Sequence, residues 1–126
     1  MNATEPYIAY IDNDIVEVKV DILDDESFEI PVQLEKVVDL ALIKMHGRYN
    51  EGYEKEIREL WLKFIKLLYP KLPKIRKREA WAAALELCYC LKHSIEIEKE
   101  ILAEYYGITY SSLCKNYNRL RSILKL

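Results

Sequence analysis

The 126-residue chain has only three glycines, four prolines, three cysteines and two histidines. So little glycine and proline excludes a low-complexity linker, and the length suits one domain with one core. No apolar run approaches the roughly 18 residues of a membrane span. The longest, residues 80–85, stops at Glu86. Residues 1–5 hold neither a basic nor an apolar stretch, so no signal peptide and a cytoplasmic home are expected. Cys88, Cys90 and Cys114 are odd in number and irregular in spacing, which gives no disulfide framework. On a helix Cys88 and Cys90 point about 200° apart, so they cannot face one metal. His46 and His93 add no ligand spacing, and both cysteines read as small core residues. No glycine-rich phosphate loop and no nucleophile motif occur. The expectation is therefore no enzyme, no catalytic residue, no metal and no cofactor.

What is present is charge, unevenly placed. The net charge is -2, which excludes a uniform polycation. Residues 1–56 hold 14 acids against five bases, and residues 57–126 seven acids against 14 bases. Such a dipole along the chain points to a polyanionic partner for the second half. The bland alternative is that the two halves neutralise each other or pair with another subunit.

The hydrophobic period changes once. Val16, Val18, Val20 and Ile22 alternate with Glu17, Lys19 and Asp21, which predicts a strand with one wet face. Residues 7–11 are a second run of strand formers, and Asp12-Asn13-Asp14 between them suits a hairpin turn. Residues 28–30 would add a short third strand before Pro31. From there the period is helical. Leu34, Val37, Val38, Ala41, Leu42 and Met45 share one face, with Gly47 to stop the helix. A second helix over 53–69 carries Ile57, Leu60, Trp61, Phe64 and Leu68, with Glu54–Arg58 and Glu59–Lys63 as i,i+4 pairs. A third, over 78–92, is charged between 80 and 91 only at Glu86, so it belongs inside the others. The expected class is mainly α: a five-helix bundle ending in a helix-turn-helix, with a small N-terminal antiparallel β-hairpin or three-strand meander. The expected division is an acidic hairpin region, 1–31, packed on a helical domain, 32–126.

The helix-turn-helix is read over about 97–124. Ala103 is small where a second helix approaches, Gly107 can end a helix in the left-handed conformation, Ile108 plugs the core, and Thr109 can cap the next helix. In the final helix Leu113, Tyr117, Leu120 and Leu124 form the buried stripe. Ser111, Lys115, Asn118 and Ser122 point the opposite way, flanked by Ser112 and Arg119, and no acid occurs. Hydroxyls, an amide and cations are what phosphates and base edges of a major groove accept. Lys74, Arg76, Lys77 and Arg78 sit just before or at the start of the third helix, where the dipole disfavours cations. A tolerated electrostatic cost points to phosphate-backbone contact. The bland reading of these residues is a solvated basic loop and a helix end that complements its own dipole.

The pattern Arg78-Glu79-Ala80-Trp81-Ala82-Ala83-Ala84, then Ile101-Leu102-Ala103-Glu104, Gly107-Ile108-Thr109 and Arg119-Leu120-Arg121-Ser122-Ile123-Leu124 resembles a group of uncharacterised bacterial domains. In these a Trp-Ala-Ala helix precedes a C-terminal helix-turn-helix. The same stretch is more distantly similar to the cyclin-type repeat of transcription factor B. The resemblance covers residues 53–126 and implies a nucleic-acid-binding or transcription-associated module. Asn116 stands where a repressor-type motif has an apolar residue, and the stripe resumes at Tyr117 and Leu120. The expected function is double-stranded DNA binding through Lys74, Arg76, Lys77, Arg78, Ser111, Ser112, Lys115, Asn118 and Arg119. The alternative is a protein-interaction module whose helix-turn-helix is architectural. A homodimer or a protein partner would then pair with the N-terminal strands. No membrane partner is expected.

Overall fold

The computed structural model describes residues 31–126 in full, and the backbone alone of 4–11 and 14–21. Those two segments, β1 (Thr4–Ile11) and β2 (Asp14–Asp21), pair antiparallel with Tyr7 opposite Val18. The rest is helical: α1 (Val32–Met45), α2 (Tyr53–Leu68), α3 (Arg78–Lys92), α4 (Lys99–Tyr106) and α5 (Tyr110–Leu124). No strand occurs among residues 31–126. This corrects the expected class to all-α. A two-stranded ribbon alone is marginal in water and makes no layer of a fold. A third strand at 28–30 lies outside the described residues, as do the side chains of 1–30 through which the expected region 1–31 would pack on the helices.

The alanine-rich helix α3 is the hub. Every residue from Ala80 to Cys90 is buried, and α1, α2, α4 and α5 all pack against it. Its small side chains let neighbours approach closely, and larger ones on those neighbours fill the space. Trp61 and Phe64 of α2 meet Trp81 of α3 at ring distances of 5.8 and 5.5 Å, and the Trp61 indole N–H donates to the Leu34 carbonyl at 2.8 Å. Among the described residues no helix is long and apolar enough to cross a membrane.

Two local expectations differ from the structure. Glu54–Arg58 and Glu59–Lys63 do not close; instead Lys55 reaches Glu59 at 4.0 Å. Exposed i,i+4 partners gain only a few tenths of a kcal/mol from pairing, so rotamer freedom decides among them. The helix end near Gly47 is shifted slightly: His46 caps α1, and Gly47 follows in the left-handed region.

Glu86 is the one buried charged residue among those described, and three donors converge on it. Arg48 Nη2 donates at 2.7 Å, the Tyr49 hydroxyl at 2.6 Å and the Tyr106 hydroxyl at 2.7 Å. Its carboxylate thus ties the α1–α2 loop to the last residue of α4. Burial and the neighbouring carboxylate push Tyr106 above the usual phenol range, and burial does the same to Tyr49. Burial opposes the charge on Arg48, but Glu86 more than offsets this and raises its pKa. Lys44 adds a second tie to α4. Its ammonium lies 4.6 Å from the Tyr105 ring centre and donates to the Tyr105 carbonyl at 3.1 Å.

Candidate functional site

The helix-turn-helix forms as its residue types dictate. Gly107 ends α4 at φ 70°, where a Cβ is strained. The Ile108 N–H returns to the Ala103 carbonyl at 3.0 Å, the closing bond of a Schellman-type cap. Thr109 caps α5: its side-chain oxygen accepts from the Ser112 N–H at 3.1 Å and its hydroxyl donates to Ser112 Oγ at 2.9 Å. Leu113, Leu120 and Leu124 are buried as the stripe requires, with Tyr117 half-buried beside them.

The segment before α3 is held by its apolar residues. Leu72, Pro73 and Ile75 are buried, while Lys74, Arg76 and Lys77 are exposed. The alternation pins the backbone and leaves the cations outside. Facing them is α5, and between the two opens a cleft of about 300 Å³. Lys74, Arg76 and Lys77 line one wall; Ser112, Lys115, Asn116 and Arg119 line the other; Pro73, Ala80 and Trp81 complete it. Among the described residues no carboxylate lines it. Lys74, Arg76, Lys115 and Arg119 make no ion pair among the described residues.

Six of the nine sequence-named residues therefore meet in one place. Arg78, Ser111 and Asn118 do not line the cleft; all three are exposed. Ser111 and Asn118 lie about a quarter-turn around α5 from the middle of the cleft-facing arc, at ~100° per residue. Lys77 has a structural task as well: its ammonium donates to the Gly107 carbonyl at 3.0 Å, tying the basic segment to the turn. Asn116 and Trp81 went unnamed as site residues. The signal for Asn116 was its amide at a position where the motif usually carries an apolar residue. Nothing in the spacing marked Trp81 as cleft-lining, because it reads as core and is 6% exposed.

The cysteines take no part. Cys88 and Cys90 are buried, and burial pushes the Cys88 thiol up to about 12. Among the described residues no three His, Cys, Asp or Glu side chains are grouped to hold a metal.

No family model matches the chain, and no solved structure does. Over 77 residues, 61% of its length, it is 35% identical to the TPR repeat-containing protein YsoA of Bacillus subtilis (strain 168). The chain spans 23% of that protein's length, so the similarity is to part of a longer protein.

Proposed function

We propose that this chain is a helical binding module that grips a polyanion in the basic cleft, and that the polyanion is double-stranded DNA. One observation carries the reading. Two basic segments separated by some thirty residues face each other across a cleft that no carboxylate lines among the described residues. Cations gathered on one surface without ion-pair partners repel one another, and phosphates relieve that repulsion. The acid-free exposed face of α5 would lie along the major groove, with Lys115 and Arg119 on phosphates or guanine and Asn118 on adenine. Lys74 and Arg76 would hold the flanking backbone. Fluorescence anisotropy with a labelled duplex tests this. Binding is expected at about 50 mM salt and should weaken steeply as salt rises; no binding at that salt would overturn it.

A protein partner is the second reading, and the similarity to a TPR repeat-containing protein favours it. TPR units are helix pairs of about 34 residues that stack into solenoids. This chain instead wraps four helices around one, and its three glycines all sit beside helix ends. It is therefore not itself a stack of such repeats. The similarity supports an interaction role for the chain.

A further inference from the structure

A second surface, which shares no residue with the cleft, runs along α1 and α2. Three adjoining hollows meet at Arg58, which lines all of them. The α1 wall is Glu35, Val38, Asp39, Leu42, Ile43 and His46. That spacing is one continuous helical ridge three turns long, about 16 Å. Across it stand Tyr53, Glu54, Arg58 and Leu62 of α2, with Glu51 from the loop. Ile43 projects from the ridge at 72% exposure, a large cost for a β-branched apolar side chain that no described residue covers. The carboxylates of Glu35, Asp39, Glu51 and Glu54 are exposed and make no ion pair among the described residues.

We propose that the α1–α2 groove seats an amphipathic helix of a protein partner whose apolar strip is flanked by lysine and arginine. A groove three turns long between two consecutive helices matches a short helix laid into it. The apolar strip would cover Ile43, Leu42 and Leu62, and the flanking cations would meet the four exposed carboxylates. Arg58 would take a single acid from the partner. A second copy of this chain fits less well, because it would set these carboxylates against their own duplicates. DNA is repelled here for the same reason. The inference rests on the protein-partner reading, and the cleft is independent of it.

Two synthetic helices of about 14 residues, three to four turns, form the test. They share one leucine strip; one is filled out with lysine, the other with glutamate. Both are titrated against the full chain. The lysine peptide is expected to bind at least about tenfold tighter than the glutamate peptide, and Ile43→Asp to weaken it by about tenfold or more. The pair Glu35→Lys/Asp39→Lys should abolish the preference, and Lys115→Ala/Arg119→Ala should leave it unchanged. Equal binding of both peptides, no binding of either, or indifference to Ile43→Asp would overturn the proposal. So would self-association by light scattering that Ile43→Asp disperses, since a second copy would then be the occupant. Because the cleft variant is in the same series, failure here leaves the DNA reading standing.

Discussion

The molecule concentrates charge in two regions and treats it in opposite ways. Around Glu86 one carboxylate is enclosed and receives three hydrogen bonds from Arg48, Tyr49 and Tyr106. In the cleft, Lys74, Arg76, Lys115 and Arg119 face solvent with no ion pair among the described residues. The first region satisfies its charge internally and so holds the fold together, fixing the end of α4 and the turn beyond it. The second leaves its charge to be satisfied from outside. A fully satisfied ion is a structural device; a set of unpartnered like charges on one surface is a binding device.

Substitutions can sharpen this contrast. The largest effect is expected from Glu86→Ala, which strands Arg48 and the buried Tyr106 hydroxyl and takes a partner from the half-buried Tyr49. It should cost about 3 kcal/mol, at the lower end for a broken buried pair because Arg48 still reaches water. Urea denaturation gives the value, and a loss below about 1 kcal/mol would make the network incidental. Next is alkaline pH. The folded protein holds Cys88, Tyr49 and Tyr106 neutral above their ordinary values. Groups raised in this way lend stability that is complete below their unfolded values and is lost as pH climbs past them. For Cys88 that window runs from 9.0 to about 12. By about pH 10.5 it should have cost about 2 kcal/mol, judged by 1.36 kcal/mol per pH unit. Urea midpoints that do not move between neutral pH and pH 10.5 would contradict this. Thr109→Ala removes the α5 cap and should cost about 1 kcal/mol, seen as a lower Tm with DNA affinity weakened only modestly. Smallest in stability is Lys115→Ala/Arg119→Ala, expected within about 0.5 kcal/mol of the parent. A larger loss would show that these side chains serve the fold.

The helices were legible because their period is strong. The stripe from Leu34 to Met45, the enclosed 80–90 stretch and the Gly107–Thr109 turn each rest on local chemistry that tertiary packing reinforced. The i,i+4 pairs of α2 were not legible, since several exposed partners of near-equal energy compete there. The site was half legible. Basic residues on two segments could be named, but their meeting across a cleft depends on how α5 packs on α3 (a contact no local pattern encodes). Glu86 stood out as the only charge between residues 80 and 91 of α3. Its three donors come from the loop after α1 and from the end of α4, so no local pattern pairs them with it. The α1–α2 groove was invisible for a different reason: Val38 and Leu42 read as core, and only the structure sets them beside Ile43 and α2 along one groove.

The most direct test of the cleft measures duplex affinity against salt for the parent and for Lys115→Ala/Arg119→Ala, with thermal unfolding alongside. Each phosphate contact contributes about 0.9 to the slope of log K against log salt. The account predicts weaker binding by the variant, a slope shallower by about two contacts, and an unchanged Tm. Equal affinity and equal slope for the two proteins would contradict it.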